Sequence, residues 1–141
     1  MSGAVYQCFY WHGGYATLRD TTARRDPGES IPPLEPRGWL FKPDTLRWAA
    51  YADEDTALAW LWEQMRHLAG YVRRHQPHRV VDVEADFRAA RRDLAHGDMA
   101  CQWDIRLPDG TYAIAAVVAV YQADDDSPES SSIALVTWRK P

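Results

Sequence analysis

Asparagine is absent from this chain, and lysine is reduced to Lys42 and Lys140 against 14 arginines. That skew fits the GC-rich coding sequence of a high-GC bacterium and carries no information about activity. Cysteine is scarce too. Cys8 and Cys101 lie far apart with no CxxC between them, which excludes a disulfide scaffold and an unaided zinc site. Reduced thiols and a cytoplasmic location are the expectation. Long hydrophobic runs are missing: the apolar stretch 114–121 has the length of a strand, not of a membrane-spanning helix. The first residues lack a basic region followed by an apolar one, so no secretory signal is expected. A Walker loop, GxGxxG, HExxH and paired-carboxylate motifs are all lacking, as is any internal repeat. Neither a cofactor nor a metal is therefore expected.

What is present is ordinary in bulk and unusual in one residue. The 141 residues suit one domain. Hydrophobic residues at 46% and charged residues at 26% are typical of globular chains. Tryptophan is the exception, with seven residues, and tyrosine adds seven more. The net charge of -4 is unevenly spread: seven arginines against Asp82, Glu84 and Asp86 make 66–92 basic, and the remainder is more acidic than the average. Attraction of the whole protein to nucleic acid is not expected, but a local basic patch is.

Two segments read as irregular. The first, 17–37, holds Pro27, Pro32, Pro33 and Pro36, which remove backbone donors and disfavour helix. Its length marks it as either mobile or a functional flap. The second, 123–132, is acidic and serine-rich, a loop for solvent rather than an EF-hand, since it lacks the alternating ligands and central glycine.

Between them the periodicity predicts an α+β domain. Residues 4–12 read as a strand ending at the Gly13-Gly14 turn, and 39–42 with 46–51 read as a short hairpin about Pro43-Asp44. Asp53 then caps a long helix whose stripe is Leu58, Leu61, Trp62, Met65 and Val72, stopped by Pro77. A second, shorter helix over 84–96 precedes the hairpin and is closed by Gly97, while 79–83 reads either as a short strand or as that helix's first turn. Residues 99–107 alternate strictly and turn through Pro108-Asp109-Gly110 into a strand over 111–122, apolar on both faces and therefore central. The turn sets Trp103 opposite Ala115 and Ile105 opposite Ala113. Residues 133–139 supply one more strand, giving an antiparallel sheet of five to six strands packed by the long helix.

Two constellations carry the functional expectations. Tyr10, Trp11, His12, Trp39, Trp48 and Trp60 fall where their faces are ambiguous, and aromatic side chains of this kind grip partners or ring-bearing ligands. The structural alternative is that they fill the core, as Trp62 and Trp103 are expected to do. Arg73, Arg74, His75, His78 and Arg79 form a basic patch for phosphate or nucleic acid. Its structural alternative is complementing the C-terminal dipole of the long helix. His75 and His78 lack the geometry for a metal, because Pro77 interrupts the helix between them. His12-Gly13-Gly14 reads as a hairpin turn, since no nucleophile elbow accompanies it. Cys101 reads as a buried, inert thiol.

The sequence thus favours a non-catalytic binding protein that engages a protein partner through an aromatic-rich surface, in an accessory, immunity or antitoxin-like role. The alternatives are a small-molecule binder with a Trp-lined cleft and a nucleic-acid binder acting through 66–79. Catalysis is not expected, a membrane is not expected as partner, and a homodimer through an exposed aromatic face is compatible with the composition.

Overall fold

The computed structural model describes residues 3–96 and 99–121. Its centre is a four-stranded antiparallel sheet in the order β2-β1-β4-β3, built from β1 (Ala4–Gly13), β2 (Arg47–Tyr51), β3 (Ala100–Arg106) and β4 (Tyr112–Tyr121). The doubly apolar β4 lies inside the sheet, paired with β1 from Ala4↔Tyr121 to Gly13↔Tyr112 and with β3 along its other edge. The expected register holds, with Trp103 opposite Ala115 and Ile105 opposite Ala113. Gly110 adopts φ +89°, the left-handed conformation the turn requires. Asp109 secures that turn by accepting from the Thr111 amide at 2.9 Å and the Thr111 hydroxyl at 2.6 Å.

Period-two alternation gives β4 two different neighbours. Ala113, Ala115, Val117 and Ala119 face a core closed by two helices, α3 (Glu54–His75) and α4 (Val83–Ala95). The small alanines let the stripe of α3 (Leu58, Leu61, Met65, Leu68 and Val72) sit close to the sheet. Trp103 reaches from β3 to α4 and donates its Nε1 hydrogen to Asp86 at 2.9 Å.

Asp53 starts α3, accepting from the Thr56 amide at 3.0 Å and its hydroxyl at 2.7 Å. Those bonds hold the Asp53 carboxyl below its ordinary value. A carboxyl whose folded pKa is depressed stabilises fully above its unfolded pKa and loses that contribution as pH falls through the folded value. Asp53→Ala is therefore expected to lower the melting temperature at neutral pH. The gap to the parent chain should narrow as pH falls below 3.8. A gap that persists undiminished into strong acid would contradict the cap.

The opposite face of the sheet carries Phe9, Trp11, Ile114, Ala116 and Val118 and is covered by the proline-rich segment. That segment is no extended loop. With its flanking residues it folds into α1 (Tyr15–Arg19), α2 (Thr21–Arg25) and two 3-10 turns, Pro36–Phe41 and Asp44–Leu46. Trp39 descends from the first of these turns, stacks on Phe9 at 5.5 Å and donates Nε1–H to Gln102 Oε1 at 2.9 Å. Prolines supply no donors, so the carbonyls of this layer need other partners. Arg24 donates to the carbonyls of Leu18 (3.0 Å), Pro32 (3.1 Å) and Pro33 (2.8 Å). Lys42 donates to Asp26 O at 2.7 Å, and Arg37 ties the layer to Ala119 O at 3.1 Å. Burial pushes the pKa values of Arg24 and Lys42 down, the cost of placing cations beneath a lid.

Four sequence expectations need correction. The strand at 39–42 and its hairpin do not form, because Pro36 initiates a helical turn that carries Trp39 inward. Only 47–51 remains strand, which leaves four strands among the described residues instead of five to six. Of the stretch 79–83, read either as a strand or as the helix's first turn, 79–82 form an irregular link and only Val83 belongs to α4. Gly13-Gly14 is a strand-to-helix junction, Gly14 preceding α1, and a Cβ on Gly13 would lie 2.2 Å from the folded-back Trp11 ring. The expected strand at 133–139, the acidic loop at 123–132 and the capping Gly97 lie outside the described residues. Among the described residues, no helix is long and apolar enough to cross a membrane.

Candidate functional site

Among the described residues, a concave surface lies on the outer side of the helices α3 and α4. Helices α3 and α4 run antiparallel on the sheet, joined by a short link that Arg73 fixes through a bond to Val81 O at 2.8 Å. Between them runs a trough whose central cavity measures about 510 Å³ and is continued by smaller hollows at both ends. At its floor, Leu58 is buried, and the half-buried rings of Trp62 and Phe87 meet edge to face at 5.1 Å. Leu58 and Trp62 are four apart on α3, so both look the same way, as do Phe87 and Arg91 on α4.

Charge lines the trough in alternating blocks. At one end the α3 wall carries Glu54 and Asp55 and the α4 wall carries Arg88, Arg91 and Arg92. At the other end the signs exchange walls: Arg66 and Arg73 stand on α3, Asp82 and Glu84 at the start of α4. Helix dipoles account for the order, since acids favour the first turn and bases the last, and antiparallel helices then oppose unlike ends. Arg66 is held by Glu63 on its own helix at 2.8 Å, and no ion pair between described residues bridges the two walls.

The aromatic constellation read from sequence is divided by the sheet. Trp39 is completely buried and Trp11 nearly so, both in the second core. As surface-lining residues these two are corrected, for the proline-rich layer closes over them. Tyr10 and Trp48 remain together, edge to face at 5.5 Å at the β2 margin. There a bulge between Cys8↔Ala49 and Phe9↔Arg47 leaves Trp48 41% exposed. Trp60 packs half-buried against the first core from α3. His12 stands at the far end of the sheet, its Nε2 bonded to Thr111 Oγ1 at 2.7 Å.

The basic patch is partly spent on architecture. Arg73 holds Val81, Arg79 donates to the Arg106 carbonyl and to Gln76 Oε1, and His75 Nδ1 donates to Tyr71 O at 3.0 Å. Arg74 and His78 are exposed. Sequence reading missed the trough because Trp62 and Phe87 sit on the core stripes of their helices. The signal was Phe87, Arg88 and Arg91 within one turn of α4, a face both apolar and basic.

Cys8 and Cys101 both pair with Val117, one from each side, which separates them by two strand spacings, about 10 Å. That exceeds the reach of a disulfide. Burial pushes the Cys8 thiol up strongly and Cys101 up to about 12. Neither thiol is expected to react with a disulfide reagent at neutral pH until the protein unfolds. Rapid labelling of the native protein would contradict this. Among the described residues, no group of three or more His, Cys, Asp or Glu is placed to hold a metal ion.

Comparison with protein families, curated proteins and solved structures returns no match for this chain.

Proposed function

We propose that this chain is a non-catalytic binding protein that engages a protein partner through the trough between α3 and α4. The observation that carries this reading is the Trp62–Phe87 pair at the floor of an elongated trough whose charged walls do not close on each other. Half-buried aromatics ringed by arginine and carboxylates resemble the anchoring centre and polar rim of protein interfaces. Helix α4, at 13 residues, runs about 20 Å. A helix or extended segment of a partner matches that length, whereas a compact ligand would occupy only the centre.

A photo-cross-linking residue at the exposed wall position Ala59, compared with one at Val80, which is 91% exposed and outside the trough, tests the proposal. Adducts with another polypeptide are expected from Ala59 alone. Trp62→Ala should weaken them, since loss of an aromatic anchor typically costs about 2 kcal/mol or more of binding energy, while circular dichroism stays unchanged. Equal adducts from both positions, or adducts indifferent to Trp62→Ala, would refute the proposal. Quenching of Trp62 by small aromatic anions without any polypeptide adduct would favour a small-molecule site instead.

A further inference from the structure

We infer that the partner is a second copy of this chain, docked face to face across the α3–α4 trough about a two-fold axis in the plane of contact. The inference rests on the trough being a protein-binding surface and adds the identity of what it binds.

The argument is one of charge symmetry. Viewed from outside, the trough divides into four quadrants. On the α3 wall, acid at Glu54 and Asp55 gives way to base at Arg66 and Arg73. On the α4 wall the sequence is reversed, from base at Arg88 and Arg91 to acid at Glu84. A two-fold axis in the contact plane and parallel to the helices lays each α3 wall on the partner's α4 wall without exchanging the ends. Acid then meets base in every quadrant. An in-plane axis perpendicular to the helices lays α3 on α3 with ends exchanged, and again every acid meets a base. A trough of single sign would repel its own copy under both operations, and a charge difference between the walls alone would suit only the first. The alternating pattern is self-complementary under both, which is what an isologous interface demands.

The centre of the face agrees with this. Leu58, Trp62 and Phe87 lie where the quadrants meet, so under either axis the two sets come together, Trp62 against Phe87 with α3 on α4 or Trp62 against Trp62 with α3 on α3, and form one apolar cluster enclosed by the charged rim. Within one chain no ion pair between described residues crosses the trough; Arg66 pairs with Glu63 along its own helix and Arg73 donates to Val81 O, which holds both on the α3 wall.

Sedimentation analysis of the purified chain across a dilution series tests the pairing. A reversible dimer is expected, weakened by salt as the charged rim is screened. Arg91→Glu and Asp55→Arg alone each set like charges opposite one another and should raise the dimer dissociation constant by about tenfold or more. The double variant Asp55→Arg with Arg91→Glu restores the dimer if α3 lies on the partner's α4. Asp55→Arg with Arg66→Glu restores it if α3 lies on α3, so rescue by either pair supports the inference and names the axis. A strict monomer at all concentrations, or a dimer indifferent to these substitutions and to Phe87→Ala, overturns it. If the chain is monomeric but the cross-linker at Ala59 still captures a different polypeptide, self-pairing fails and the trough remains a binding site. If neither occurs, both readings fail.

Discussion

Trp39→Ala is expected to destabilise the protein by about 3–5 kcal/mol, the range for deleting a buried large aromatic side chain. Trp39 has no exposed surface, stacks on Phe9 and donates to Gln102. Truncation removes the roof of the second core at its most enclosed point and strands the Gln102 oxygen. The cavity cannot close by a small shift, because Pro33 lies against Gly38, where an added Cβ would come within 2.6 Å of the proline ring. Domains of this size are stable by only about 5–15 kcal/mol, so the variant should show a large fall in urea midpoint. A loss below about 1 kcal/mol, typical of an exposed site, would show that Trp39 is not the roof of this layer. Trp39→Phe should lie between, retaining the stack and losing the hydrogen bond, at about 1–2 kcal/mol.

Arg24→Ala is the second large effect. One guanidinium serves three carbonyls, two of them from the consecutive prolines Pro32 and Pro33. Hydrogen bonds from a charged donor contribute about 1.5–3 kcal/mol each and do not add when they share a group. Because the site is only partly buried, a total near 2–3 kcal/mol is expected. The loss should be local in character. Tryptic cleavage after Arg25 should accelerate well before the sheet unfolds, because the 17–37 layer detaches first. Arg24→Lys should recover part of the stability, since an ammonium lacks the planar fork that spans both proline carbonyls. Cleavage kinetics identical to those of the parent chain would rule out this staple.

These two residues show why the composition looks as it does. Arg24, Arg37, Arg73 and Arg79 all donate to backbone carbonyls across loops, and buried Lys42 does the same. Four of the 14 arginines are therefore spent bracing irregular backbone, and Arg37 and Arg79 among them reach strand carbonyls. The basic patch at 73–79 is half of this kind, which charge counting along a sequence has no means of detecting.

Helices α3 and α4, the central strand and the hairpin register follow from the sequence because each is set by local chemistry. Asp53 caps α3, Pro77 lies just beyond its end, Gly110 permits one turn geometry, and period-two alternation fixes which residue opposes Ala115. The fate of the aromatic residues is different in kind. Trp39 and Trp48 occupy similar stretches of sequence, yet one is sealed by the proline-rich layer and the other is turned outward by a bulge. Neither event is written in the periodicity around them, since each depends on a segment distant in the chain arriving at the same place. The same holds for the trough. Sequence alone settled that α3 and α4 are amphipathic and that α3 starts on an acidic cap and ends in a basic turn. Only tertiary packing decided that they lie antiparallel and slightly apart, so that Trp62 and Phe87 share a floor and unlike charges face one another across it.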